Sequence, residues 1–315
     1  DSVYEGELVD ECVRHGYGVL TFFDGRQYEG EFANDKFHGK GVMLLLENEK
    51  YEGEFKNDCF DGKGTFYYKD GSRYEGMMKN KSVRDGLGIY YYKNGDVYAG
   101  YWKNDKFHGR GVYLFHNGER FEGELVNGYK QGRGIYYYLN KNKYLGDWKA
   151  DKKSGKGGFY FYSTNELYEG DWDDGERSGE GTFYFASGDK FIGTWYKGEK
   201  VGRGIILYSN GAKFEGEWRN NQFEGRGTMY NQKPAMITIN KFDSDYGKME
   251  NTWKKYEGEF YNDEWHGIGT LYFSNGDSYH GEFRHNKMHG KGSYYKSGGS
   301  VVNGIWENNC FCRAV

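Results

Sequence analysis

The sequence predicts an all-β fold: an elongated, single-layer, twisted antiparallel sheet of tandem β-hairpins. Three observations predict it. Aromatic residues make up 20% of the 315 residues and glycines number 51, while proline occurs once. A block of the form aromatic-x-Gly-x-aromatic recurs at intervals of 23 or 24 residues. Inside each block large and polar side chains alternate with a period of two, the signature of a strand with two different faces.

Composition sets the kind of core. Hydrophobic residues reach only 37%, and most of the large ones are rings: 32 Tyr, 22 Phe and 8 Trp. Few aliphatic side chains, many rings and abundant glycine suit a thin β-structure in which rings lie over bare backbone. Near-absence of proline fits as well, because proline cannot donate to a β-ladder. A net charge of −4 offers no basic stripe for nucleic acid. No apolar run approaches 18 residues, so no transmembrane segment is expected. The chain opens at Asp1 without Met or a signal peptide, which leaves open residues before Asp1. Cys12, Cys59, Cys310 and Cys312 fall at unrelated repeat phases, matching a reducing, cytoplasmic setting better than a disulfide framework or a zinc site.

The blocks begin at Tyr4, Tyr28, Tyr51, Tyr74, Tyr98, Phe121, Tyr144, Tyr168, Phe191, Phe214, Tyr256 and Tyr279, with a truncated thirteenth from Val302. Each of the first twelve is followed by a Gly-x-Gly pair. This divides the chain into repeats 1–10 over residues 4–230, an insertion over 231–255, and repeats 11–13 over 256–309, in one continuous array. In YEGEF, period two places Tyr51, Gly53 and Phe55 on one face and Glu52 and Glu54 on the other. KNDCFD is turn material, and GKGTFYY puts Gly62, Gly64, Phe66 and Tyr68 on one face. Asp70-Gly71, like Asn94-Gly95, is expected to close the unit as a two-residue hairpin. Rings of one strand are expected to cover glycines of the next. On the other face Glu52 and Glu54 should meet Lys63, and Glu122 and Glu124 should meet Arg133. One such unit cannot bury its own rings, whereas stacked neighbours can. At ~4.8 Å between strands the array should advance roughly 10 Å per repeat.

Units such as YEGEFKNDCFDGKGTFYYKDGSR (51–73) and YAGYWKNDKFHGRGVYLFHNGER (98–120) resemble MORN repeats, and the resemblance covers nearly the whole chain outside 231–255. It implies a twisted antiparallel sheet of hairpins with a groove used for protein partners. Arrays of this kind occur in radial spoke heads of cilia, in cytoskeletal collars, in junctophilins and as appendages of lipid kinases and a lysine methyltransferase.

Several residue patterns that suggest chemistry have simpler readings. The Gly-x-Gly pairs lie inside strands rather than ahead of a helix, so they are not phosphate loops. His15, His38, His108, His266 and His289 share a position that Asp61, Gln131, Ser154 and Val201 fill in other repeats, which marks a turn position and not catalysis. The repeated glutamates lack the secluded cleft that acid–base work requires. Asp243, Asp245 and Gly247 resemble the start of a calcium loop but lack its late glutamate. The expectation is therefore no enzyme activity, no metal and no cofactor. The insertion, with Pro234, is read as a tolerated loop or an extra hairpin made by ITIN and MENTW.

The functional expectation is a structural scaffold for other proteins of a multi-subunit cytoskeletal assembly, the ciliary axoneme first among them. A phosphoinositide-binding, membrane-proximal scaffold and a regulatory arm of an enzyme are the alternatives, and a homodimer is left open. Two residue sets are the candidate contact sites. The first is the rings of one face, Trp102, Trp148, Trp172, Trp195 and Trp218. The second is a row nine residues after each block begins: Val13, Phe37, Phe60, Val83 and Phe107, then Lys130, Lys153, Arg177 and Lys200, then Phe223, Trp265 and Met288. It is expected to form two exposed apolar bands around a basic patch that meets an acidic surface.

Overall fold

The computed structural model describes residues 2–79, 82–234 and 252–315. Its described residues form 26 strands of antiparallel sheet and a single 3-10 turn, Leu46–Asn48. Two compact units divide the chain, Asp1–Lys153 and Ser154–Val315. The first carries the strands from Ser2–Val9 to Lys143–Lys149, and the second those from Lys152–Phe161, which begins just ahead of the boundary, to Cys310–Ala314.

Within each unit consecutive strands pair in sequence order, so the ladders join strands that are neighbours in the chain. Strands Lys50–Lys56 and Cys59–Tyr67 show the pattern. Asn57 and Asp58 join them with φ of 50° and 65°, the two positive values that a tight hairpin matched to strand twist demands. Asp70-Gly71 behaves differently from expectation. Tyr68 N–H donates to the Ser72 carbonyl at 3.0 Å and Gly71 N–H to the Tyr68 carbonyl at 3.0 Å, which makes a three-residue loop with Gly71 at φ 90°. The two-residue hairpin thus lies at the other end of this repeat and of most others, in the stretch that the sequence marks only as turn material; the connections after Val9 and Lys79 are one residue longer.

A second departure lies inside the strands. Gly53 pairs with Gly64, yet the next pair is Phe55 with Phe60. One residue, Glu54, therefore faces three on the partner strand, and Gly62 takes φ 111° at this bulge. An excess of two residues preserves the alternation, so Phe60 stays on the ring face. The pairing of Cys59–Tyr67 with Arg73–Lys79 has no such shift.

The core is one ring deep. Tyr28, Tyr51, Tyr74, Tyr98, Tyr144, Tyr168, Tyr256 and Tyr279, with Phe121, Phe191 and Phe214, are completely buried. Each of these rings covers a cross-strand glycine pair: a side chain at Gly64 would enter the ring of Tyr51, and one at Gly53 would strike the Gly64 backbone. The tyrosine hydroxyls end on a carbonyl three residues on, as in Tyr98 to Tyr101 at 2.9 Å and Tyr144 to Asp147 at 2.9 Å. Successive hairpins are also tied at their tips. Asp58 N–H donates to the Phe37 carbonyl at 3.2 Å while Phe37 N–H donates to Asp58 Oδ1 at 2.9 Å, and Asn221 with Lys200 and Asn309 with Met288 repeat this pair of bonds.

Of the insertion, Trp253–Lys255 belong to strand Trp253–Tyr261, which pairs with Gln222–Tyr230. The expected ITIN strand and the Asp243–Gly247 motif lie outside the described residues.

Candidate interaction surface

The structure corrects the placement of both candidate sets. Trp102, Trp148, Trp172, Trp195 and Trp218 are all under 7% exposed. Their indoles lie edge-on to the block rings, as Trp102 does to Tyr98 at 5.3 Å and Trp195 to Phe191 at 5.3 Å. Four of the five indole N–H groups donate to the glycine carbonyls beneath them: Trp102 to Gly88, Trp148 to Gly134, Trp172 to Gly157 and Trp195 to Gly181. Trp218 Nε1 is buried with no hydrogen-bond partner among the described residues. These tryptophans are core, because thin sheets of glycine need rings to cover them on one side.

The row behaves likewise. Phe37, Phe60, Phe107, Phe223 and Trp265 stack on the block rings of their own repeats at 3.8–4.6 Å between centroids. Met288 is 1% exposed. Strand pairing also shifts two members of the row. Leu8 pairs with Arg14 and Met78 with Arg84, so Arg14 and Arg84 occupy the places read as Val13 and Val83. The repeats containing them are one residue longer before the bulge, which counting from the block cannot reveal.

The central cations are not a free basic patch either. Lys130 Nζ lies 5.0 Å from the ring centroids of both Tyr136 and Trp148, Arg177 is 4.4 Å from Trp195, and Lys200 is 4.6 Å from Trp218. Lys153 Nζ lies 5.7 Å from Tyr144. Burial is the main influence on Lys130, Arg177 and Lys200 and lowers the pKa of each, while Asp151 and Glu119 pull Lys130 the other way. These cations are held by ring faces, which attract positive charge through their quadrupole.

With the ring face closed, the opposite face is open. In the second unit it forms a groove of about 860 Å³ whose floor includes Ile192, Ile205, Gly204 and Gly216 between Arg203 and Glu217. In the first unit a groove of about 660 Å³ is lined by Tyr17, Lys40, Val42, Glu52, Lys63 and Thr65. At the glycines the sheet is one backbone thick, with the ring of Phe191 against Gly204 on one side and the groove on the other.

Charges in the groove pair differently from expectation. Glu122 and Glu75 bond cations two residues earlier on their own strands, Arg120 and Arg73, at 2.9 Å each. Those arginines lie in turn over Tyr137 and Tyr91 at 4.2 and 4.4 Å. Arg133 meets Asp147 at 3.4 Å rather than Glu122 or Glu124. Glu54 does not bond the Lys63 ammonium. Its Oε2 accepts the Lys63 backbone N–H at the bulge at 3.1 Å, as Glu31 does for Lys40 at 2.9 Å, Asp171 for Glu180 at 3.0 Å and Glu282 for Lys291 at 3.0 Å. The carboxylate directly after the block glycine is thus a bulge cap in these repeats.

An unbranched series of hairpins with a closed ring layer and an open, mixed-charge groove is the architecture of a repeat scaffold. The MORN repeat model matches residues 13–25, 28–45, 51–73, 74–97, 98–120, 121–143, 144–165, 168–190, 191–213, 214–232, 256–278 and 279–301. The chain belongs to the MORN-repeat family, whose arrays are as a rule non-catalytic protein-interaction scaffolds. No curated protein matches it in sequence. Among solved structures, it is similar to the TCP10 domain of Danio rerio CPAP in complex with a peptide of Danio rerio STIL, at 11% identity and a TM-score of 0.32 over 75% of this chain and 98% of that one. The Drosophila melanogaster SAS-4 TCP domain in complex with a proline-rich motif of Ana2 gives 15% identity and 0.31 over 55% and 86%. An inactive virginiamycin B lyase from Staphylococcus aureus gives 12% and 0.14 over 96% and 88%. Superpositions this loose carry no functional argument. No helix among the described residues is long and apolar enough to cross a membrane.

Proposed function

We propose that the chain is a structural scaffold of a large cytoskeletal assembly, holding several protein partners in a fixed order along its repeats. The ciliary axoneme, in a radial-spoke-like role, is the setting this reading favours, since the array fills nearly all of the sequence. One observation carries the proposal. Rings are buried along one face of the sheet, and in each unit the other face carries an open groove with its own local pattern of charge. A surface that repeats in geometry and varies in side chain can hold different partners at successive positions. Carboxylates interleave with the groove cations, which disfavours a phosphoinositide surface, where clustered Lys and Arg are needed.

The test is fractionation of ciliated cells carrying the tagged chain at its own locus. The chain is expected to stay with the detergent-resistant axoneme, and cross-links from groove residues such as Lys40 and Arg203 should reach a constant set of axonemal proteins. Release of the chain with soluble or membrane fractions would overturn the proposal.

A further inference from the structure

The open face of the first unit departs from its own pattern at its centre. There the middle residue of each Gly-x-Gly pair faces a residue of the next strand. After Tyr17 with Glu31 at the N-terminal end, these pairs are Lys40 with Glu54, Lys63 with Met77, Leu87 with Tyr101, Arg110 with Glu124 and Arg133 with Asp147. Charge therefore faces charge at the flanks, whereas the centre reads Met77, Leu87 and Tyr101. These three side chains are 40%, 68% and 41% exposed, far above what a packed core residue shows. Leu87 and Tyr101 are direct cross-strand partners, and Met77 lies against Gly86 beside Leu87. They form one contiguous apolar patch in a row whose flanking pairs, Lys40 with Glu54 and Arg110 with Glu124, are ionic.

The same substitutions open two backbone donors. In five other repeats the residue at the place of Met77 and Tyr101 is a carboxylate that accepts the bulge N–H: Glu7 for Tyr17, Glu31 for Lys40, Glu54 for Lys63, Asp171 for Glu180 and Glu282 for Lys291. Met77 and Tyr101 bring no carboxylate to the N–H groups of Leu87 and Arg110, and no described side chain accepts from either. Lys63 and Arg110, both exposed, stand at the two ends of the patch with no side-chain ion pair among the described residues. The row from Lys63 to Arg110 thus holds two cations and two amides without a side-chain acceptor around an apolar centre, with Glu54 and Glu124 just outside its two ends.

We infer that this patch docks a partner protein's segment that is apolar at its centre and carries a carboxylate toward each end. The apolar centre covers Met77, Leu87 and Tyr101, and the carboxylates replace the caps that these repeats lack. Lys63 and Arg110 lie two repeats apart, roughly 20 Å, which an extended segment spans in about six residues. An acidic residue, four or five intervening residues with large apolar side chains, and a second acidic residue meet these requirements. The inference rests on the scaffold reading and names one partner class for it.

The test uses the whole chain and a fluorescein-labelled peptide with Asp at both ends of a Leu-Trp-Leu centre spaced to seven residues. A control peptide replaces both Asp with Lys. The double variant Met77→Glu, Tyr101→Glu restores the residues that other repeats carry, so its melting temperature should be unchanged or higher. Anisotropy should show saturable binding of the acidic peptide to the natural chain, at least ten-fold weaker binding of the Lys control, and at least ten-fold weaker binding by the double variant. Absence of saturable binding to the natural chain, or equal binding by the double variant, overturns the inference. So does either competing occupant. One would appear as cosedimentation with vesicles of phosphatidylcholine and phosphatidylserine that the double variant loses, the other as self-association that it loses. Failure of the peptide arm while the tagged chain still remains with the axoneme would remove this site and leave the scaffold reading standing.

Discussion

The ring layer makes a quantitative prediction about which neighbours the row accepts. Where the following repeat supplies a tryptophan, the row residue is a slim cation: Arg84 before Trp102, Lys130 before Trp148, Arg177 before Trp195, Lys200 before Trp218. Where it supplies phenylalanine, the row residue is a ring, as Phe37 is to Phe55 at 6.1 Å, Phe223 to Phe260 at 6.0 Å and Trp265 to Phe283 at 6.1 Å. Arg14, with Phe32 at 5.5 Å, and Met288, which precedes Trp306, depart from the rule. The pairing conserves volume in a layer with no slack. Lys130→Phe puts a ring where Lys130 Nζ lies 5.0 Å from Trp148 and 5.6 Å from Phe121. Overpacking of this sort costs about 1–3 kcal/mol, and the lost cation–π contact adds about 1 kcal/mol. Trp148→Leu alone leaves space beside Phe121 and costs about 2–3 kcal/mol as a large-to-small change. Together they recreate the arrangement of Phe107 with Leu125, so the double variant should be at least about 1 kcal/mol more stable than the sum of the singles. A double-mutant cycle in urea, followed by circular dichroism, measures this. Additivity within about 0.5 kcal/mol would refute volume pairing as the reason for the row's composition.

Three further outcomes follow from the same contacts. Gly64→Ala drives a methyl into the Tyr51 ring and should cost about 3 kcal/mol, read as a lower urea midpoint; Gly128→Ala, where a Cβ meets nothing, serves as the packing control and bears only the strain of its φ of 92°. Tyr98→Phe removes the hydroxyl donated to the Tyr101 carbonyl and should cost about 1 kcal/mol, small because Phe121, Phe191 and Phe214 already fill equivalent places; a loss above about 3 kcal/mol by the same assay would contradict this. Burial pushes the Asp96 carboxyl up, but the His116 amide and ring, Asn94 and the Tyr113 hydroxyl outweigh it and hold the carboxyl at about 2. Because the folded value lies below the ordinary 3.8, this stabilisation is present above pH ~4 and is lost as pH falls toward 2. Asp96→Asn should therefore lower the urea midpoint at pH 6 and flatten its decline between pH 4 and 2, and an unchanged acid profile would count against the role of Asp96.

The repeat, the antiparallel hairpins and the glycine–ring pairing were legible in the sequence because each follows from period two and from the absence of a side chain on glycine. The bulge was not, since an excess of two residues leaves alternation intact and gives no break in pattern. Missing it had a definite consequence: counting nine residues from each block reaches Val13 and Val83, whereas strand pairing reaches Arg14 and Arg84. It also hid the work of the second glutamate, which looks like half of an ion pair with Lys63 until the bulge exposes an amide for it to cap.

The same reasoning places the tryptophans and the rings of the row in the buried layer rather than on the open face. Large rings in an open sheet suggest contact with partners, but here the glycines beneath them have first claim, and the indole N–H groups are already bonded to glycine carbonyls. In a sheet one backbone thick, covering one face uncovers the other, so residues that vary on the open face carry more information about partners than the rings do. Once the bulge fixes the register, Met77, Leu87 and Tyr101 stand out as three successive failures of a charge pattern that Lys40, Glu54, Arg110, Glu124, Arg133 and Asp147 obey. Packing does not require those failures, because other repeats fold with charge at the same places. A bound segment would give three neighbouring apolar side chains a reason to face water there, and that is what the peptide experiment addresses.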